Sequence, residues 1–454
     1  MELLSRTASR ASSGWAPSMA SSSSPEKGGI ESGVAQLPEP AVPAGQPKRT
    51  GSSWGAYLNL ICVVIGTGSL SLPKTFEQSG WVAIVLLIVS GFIGAFTGIL
   101  LVRSLNLMSG SYGRSLNQMG QAAFGIGGRL VVYTLHLVFV VGAVGDYIIL
   151  SGQNFDRIAR DNGHDIGETA WKVICALGMW LACISLKQMS EAAWLSLLGA
   201  STSLSAVGIA VVQALIHPYT SDTTGTEAHH KATHEAAKGG GVAIALATIS
   251  FSFCAVAVMP GVEASMKKPH RWDAVVSSAM GTVTSVYLVV GVVGYWAFGD
   301  QTKSPFFDNL PQNPATTAAR ILISLHVIFA APIIAASFAL DVEYALGITR
   351  ERRGWWGELG LRVLLRTAFF GAMTGVALGI PYFGDVIALV GAFSTSLLLC
   401  AVPVACYLML RRWTNIRWPL RILCVVVLAI GIYTCVMGAK SAVEDLQDDI
   451  ASDN

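Results

Sequence analysis

From residue 54 to residue 440 the chain is a near-unbroken succession of apolar runs, each long enough as a helix to cross a bilayer. Eleven are readable, at 54–76, 81–106, 129–154, 170–187, 191–216, 241–266, 273–298, 315–346, 360–380, 382–410 and 419–440. This pattern leaves few folds open. Lipid tails offer a peptide group no hydrogen-bond partner, so a crossing segment must bond its own backbone, as a helix or within a closed barrel. The runs are continuous rather than alternating, which argues against a barrel. Only 13% of residues are charged, against about 25% in soluble domains. The expected fold class is all-α, a polytopic membrane protein of about eleven transmembrane helices. The lipid bilayer is the partner this composition implies. The net charge of +2 gives no sign of nucleic acid, and no motif identifies a protein partner.

The ends differ from the body. Residues 1–50 are rich in Ser, Ala, Pro and Gly and lack the apolar core of a signal peptide, so a disordered cytoplasmic N-terminal tail is expected. A transmembrane domain follows over 51–440, and an acidic C-terminal tail over 441–454. About twice as many Lys and Arg fall on the side shared with the N-terminus as on the other, which orients that end toward the cytoplasm. The eight cysteines all lie in apolar runs without a C-x-x-C, and read as small buried hydrophobes. The connection 217–238 carries His217, His229, His230 and His234. It reads as a solvated loop, with His230 and His234 as a weaker metal-binding pair and a pH-responsive gate as a further option. It lacks a glycosylation sequon and a cysteine, which favours an endomembrane such as the vacuole over the plasma membrane.

Two runs are interrupted by the same kind of device. The first contains Gly66-Thr67-Gly68-Ser69-Leu70-Ser71-Leu72-Pro73 and is expected to end near Pro73; the second contains Ser250-Phe251-Ser252-Phe253-Cys254 and then Pro260-Gly261. Glycine bares the main chain and proline removes an N–H with its helical bond. Irregular backbone at membrane depth survives only beside protein or a watery cavity. A pair of interrupted runs opening two halves of a chain is a pointer to a transporter's binding site.

Three stretches carry a family resemblance: Gly66 to Pro73 with Gly80-Trp81 following, Met259-Pro260-Gly261-Val262-Glu263-Ala264-Ser265-Met266-Lys267-Lys268-Pro269, and Gly294-Tyr295-Trp296-Ala297-Phe298-Gly299-Asp300-Gln301-Thr302. They resemble motifs of the amino acid/auxin permease family, in order and at the right ends of runs. The resemblance implies a carrier of the amino acid–polyamine–organocation superfamily. Its fold would be a LeuT-like inverted repeat, with helices 1 and 6 broken. Its substrate would be a small amino acid, moved by alternating access.

A zwitterion needs two complementary patches. Free N–H groups at a restarting helix, from Gly66, Thr67, Gly68 and Ser69, suit its carboxylate. Carbonyls at Ile65 and around Ser252, Phe253 and Val256 suit its ammonium. Buried ionisable groups are costly and so are coupling candidates. Glu263 lies just past the second break, where a pair with Lys267 is the structural alternative. Asp146, midway along the third run, is the deepest acid. Asp341 and Glu343 are expected to pair with Arg350–Arg353, and His136 and His326 to be ordinary helix contacts. Sodium-coupled branches of the family carry asparagine where this chain has Cys62, a poor ligand for a hard cation. That leaves the proton as coupling ion, with no cofactor and no metal expected. The competing readings are a membrane amino acid sensor with little flux and a sodium-coupled carrier. An enzyme is not expected, since no nucleophile elbow or acyltransfer motif occurs.

Overall fold

Each apolar run becomes helix, the one conformation that satisfies a lone segment's backbone in lipid. The computed structural model describes residues 49–108, 115–185, 193–218, 232–348, 350–379 and 383–453. In chain order these form α1 (Ser53–Val64), α2 (Gly68–Ser79), α3 (Ala83–Leu107), α4 (Leu116–Asp161), α5 (Glu168–Ser185), α6 (Ala193–Ile216), α7 (Val242–Ser252), α8 (Met259–Ser265), α9 (Trp272–Phe298), α10 (Pro314–Ala345), α11 (Arg350–Gly379), α12 (Phe383–Val390), α13 (Val402–Arg411), α14 (Trp418–Tyr433) and α15 (Ala439–Asp453). No strand occurs among the described residues, only one isolated bridge between Gly51 and Met266. Nine stretches among them are long and apolar enough to cross a membrane. The runs at 54–76 and 241–266, expected to be interrupted, are each split into two short helices, α1 with α2 and α7 with α8.

The packing repeats itself when the two halves are exchanged. Helix α1 packs on α6, and its counterpart α7 packs on α12 and the turn that follows it. Helix α2 packs on α9, and its counterpart α8 packs on α3. Helix α10 packs on α6, and α4 packs on α12. A two-fold repeat of the chain produces such paired contacts, although its halves share no readable sequence identity. Two π-helical stretches, Gly391–Thr395 and Thr434–Gly438, lie against α7. Such bulges bend a helix where it meets an irregular neighbour.

Several expectations change. Pro73 does not end the first run; it lies inside α2, a turn beyond the interruption. The acidic C-terminal tail, whose conformation the sequence left open, is helical as α15. Glu343 is buried between Arg366, at 2.8 Å, and Arg362, at 3.2 Å, both on α11, while Asp341 accepts from Asn117 at 2.9 Å. Arg352 and Arg353, at the start of α11, are exposed instead.

Over its described part the connection before α7 is docked by hydrogen bonds, while residues 233–237 stay exposed. His229 and His230, one of them half of the expected metal pair, lie outside the described residues. The segment 232–238 runs across the top of α2, α3 and α9. Trp81 and Val82 donate their amides to the Glu235 and Ala236 carbonyls, and Lys238 donates to the Ser79 carbonyl. His234 stacks on Trp81 and meets the Tyr295 ring edge-on, with its Nε2 3.0 Å from the Tyr295 carbonyl. Two of the stretches that carry the resemblance, Gly80-Trp81 and Gly294 to Thr302, thus meet at this strap.

At the opposite end of the broken helices, Gly51 pairs with the end of α8. Its amide donates to the Ser265 carbonyl at 2.8 Å, and Lys267 donates to the Gly51 carbonyl at 2.8 Å. Glu263, 2% exposed, faces Arg49 at 3.8 Å rather than Lys267.

Candidate substrate site

Helix α1 stops at Val64, and Ile65 leaves helical geometry with φ −78° and ψ 72°. The Gly66 amide turns back to the Val64 carbonyl at 2.8 Å. As α2 restarts, Ser69 donates its amide to Gly66 at 3.1 Å and Leu70 to Thr67 at 2.9 Å. Of the four amides expected to be free, those of Thr67 and Gly68 remain without a backbone partner among the described residues. The second interruption spans 253–258, where single-turn bonds replace the helical ladder before Pro260 reopens it as α8. Proline suits this first turn because its missing N–H would have no helical partner there.

The two interruptions touch. A Cβ on Gly68 would lie 2.5 Å from the Ser252 Oγ and 2.8 Å from the Ser252 Cα. Only a residue without a side chain permits that approach. Between them lies a cavity of ≈ 20 Å³. Gly66, Thr67 and Gly68 line it from the first break, Ser252 and Cys254 from the second, and Tyr147 from α4. Ile65, Ser69 and Val256 are buried behind this lining. Phe253 turns away from the lining to pack edge-on against Tyr287, with ring centroids 5.1 Å apart. Ligand pockets begin at about 300 Å³, so this seam must widen to hold an amino acid.

Tyr287 on α9 was not singled out from the sequence. Its single hydroxyl hydrogen is shared between the carbonyls of Val64 and Ser252, the latter at 2.9 Å. These are the last residues of α1 and α7, where the two helix dipoles present their negative ends. One phenol therefore ties both half-helices together and engages carbonyls otherwise available to an ammonium. Tyr287→Phe removes the donor from the buried Ser252 carbonyl, at about 1–3 kcal/mol, while the Val64 carbonyl keeps the Gly66 amide. A roughly tenfold loss of substrate affinity with a lower melting temperature is expected. Equilibrium binding and thermal unfolding in detergent measure both.

Asp146 is fully buried. The Thr67 hydroxyl is the hydrogen-bonding group beside it, but no well-aligned bond satisfies either Asp146 oxygen among the described residues. A lone negative charge in such a place is expensive, and a proton or a bound ammonium would each neutralise it. Asp146 therefore borders the first break directly, whereas Glu263 sits at the Arg49 end of α8. Among the described residues no three His, Cys, Asp or Glu side chains converge as a metal site.

The sequence profile described as transmembrane amino acid transporter protein matches residues 49–443. Amino acid transporter AVT1C of Arabidopsis thaliana is 30% identical over 410 residues, covering 89% of this chain and 72% of that protein. Amino acid permease 8 of the same plant is 27% identical over 447 residues, covering 88% and 93%. The inward-facing conformation of Mhp1 superposes with a TM-score of 0.55 at 13% identity, covering 90% of this chain and 94% of that one. MhsT in complex with L-phenylalanine gives 0.51 at 12% identity, covering 86% and 100%. These are transporters rather than enzymes, and the shared architecture is the LeuT-like one with its first and sixth helices broken. The chain is a multi-pass membrane protein that belongs to the transmembrane amino acid transporter family.

Proposed function

We propose that the protein is a secondary active carrier of small amino acids, coupled to protons and working by alternating access. The observation that carries this reading is the shared seam: both helix interruptions open onto one cavity, with Thr67 and Gly68 on one side and Asp146 behind that lining, beside Thr67. Amides at a restarting helix suit a carboxylate. Asp146 suits a group that gains and loses positive charge. The small volume supports a cycle in which the seam opens alternately to either side, since a static hole of ≈ 20 Å³ passes nothing larger than water. The strap at 232–238 and the Gly51–Met266 pairing close off opposite ends of the broken helices.

Sodium coupling is disfavoured by the donors. Cys62 and His326 both border Gly199, and thiol and imidazole are poor partners for a hard cation. The basic residues favour a cytoplasmic N-terminus, and a proton-driven carrier fits an acidic endomembrane compartment such as the vacuole.

The test is a panel of labelled L-amino acids offered to proteoliposomes, with and without an imposed pH gradient, in sodium and in choline. Gradient-dependent accumulation of a subset, equal in both salts, is expected. Saturable binding without flux would instead make the protein a sensor. Accumulation that needs sodium would replace the coupling ion.

A further inference from the structure

We propose that His326 holds the coupling proton, on the nitrogen that faces the first helix break. This rests on the proton-coupled reading above. His326 is fully buried on α10. Its Nδ1 lies 2.8 Å from the Gly199 carbonyl on α6. A carbonyl only accepts, so Nδ1 carries a hydrogen and donates it. In the neutral ring Nε2 is then the bare acceptor, and it has no hydrogen-bond partner. That lone pair points at the break: a Cβ on Gly66 would lie 3.2 Å from Nε2 and 2.9 Å from the Tyr147 hydroxyl. The imidazole thus spans from the fixed carbonyl of α6 to the residue where α1 gives way to α2.

The surroundings suit a group that changes charge. On α4, the Tyr147 ring stands 6.5 Å from the imidazole, and the next residue back is Asp146. On α1, the Cys62 thiol borders the same Gly199. On α10 itself, Arg320 lies nearly two turns away and is occupied by Asp308 at 3.2 Å and Asn154 at 3.1 Å. So Asp146, beside Thr67 and next in sequence to Tyr147, is the anion available to balance an imidazolium, and charges interact over longer distances in a dry interior. Proton binding at Nε2 from one face turns an acceptor into a donor beside Gly66. Release to the other face restores the acceptor, and no other bond is made or broken. His136, also buried on α4, bonds Ser337 at 3.2 Å and packs on Phe338 rather than on the break.

Two variants test this. His326→Asn keeps an N–H for the Gly199 carbonyl and removes the titrating nitrogen. His326→Gln places an amide nearer the Nε2 position. Each is reconstituted and supplied with a mixture of labelled neutral L-amino acids. With either variant, pH-gradient-driven accumulation is expected to fall at least about tenfold, while exchange at equal pH stays within about threefold and loses its pH dependence. Gradient-driven accumulation retained by a folded variant would overturn the assignment and leave proton coupling standing. Loss of exchange as well, in protein that still elutes as a single species, would also overturn it, by placing His326 in substrate binding. Wild-type protein that ignores the gradient would instead remove proton coupling itself.

Discussion

Gly68→Ala weakens substrate binding by about a hundredfold while the protein still inserts and folds. The added methyl would sit 2.5 Å from the Ser252 Oγ and 2.8 Å from its Cα. A hydroxyl can rotate away, but a main-chain atom cannot, so α2 and α7 must part along the seam that holds the cavity. Overpacking of this kind costs about 1–3 kcal/mol, or roughly 5- to 150-fold in a binding constant if it falls on the bound state. The upper end is expected here, because the strained contact and the substrate compete for one space. Gly66→Ala is the internal control. Its new methyl meets the ends of two side chains, the Tyr147 hydroxyl at 2.9 Å and the His326 Nε2 at 3.2 Å, which can give way. A smaller loss is expected there. Equilibrium binding on purified protein, alongside size-exclusion profiles, measures both. Affinity at Gly68→Ala within about threefold of wild type would move the substrate away from the two breaks.

How far the sequence foretold this architecture depends on the range of each interaction. The broken helices were legible because glycine and proline act on the backbone where they stand. The position of the first break was less so, since Pro73 looked like its end. In the fold Pro73 is tolerated inside α2 and its ring fills the space left by Gly294, where a Cβ would lie 2.5 Å from the proline Cγ. Tyr287 was illegible, being one aromatic in an apolar helix until folding brings it to carbonyls 223 and 35 residues away. His234 looked like a loop histidine for the same reason, its partner Tyr295 standing 61 residues further on. Glu263 invited a local pair with Lys267, yet the chain before α1 folds back and brings Arg49 instead. Burial of an acid can be guessed from a hydropathy pattern. That Asp146 finds no better neighbour than the Thr67 hydroxyl cannot, because it depends on what the folded helices place nearby.

Asp146→Asn separates exchange from accumulation. The substitution keeps size and shape, so the packing around α4 is preserved, but the side chain no longer takes up a negative charge. Coupling requires that proton occupancy shift the balance between the two open states, and that the states in turn shift proton affinity. Without the Asp146 charge, a cation beside Gly66 has no anion to balance it, and the proton loses its preference for the substrate-loaded carrier. A gradient of two pH units supplies about 2.7 kcal/mol per proton, a ceiling of roughly a hundredfold accumulation at one proton per substrate. Wild-type vesicles should approach that ceiling, and Asp146→Asn vesicles should stop near unity while still exchanging labelled for unlabelled amino acid. Glu263→Gln should stay gradient-dependent, because its carboxylate faces Arg49 at the far end of α8 and not the seam. Should Asp146→Asn still accumulate substrate against the gradient while Glu263→Gln does not, the coupling carboxylate lies at the Arg49 end, and the proton crosses by a route that bypasses the seam.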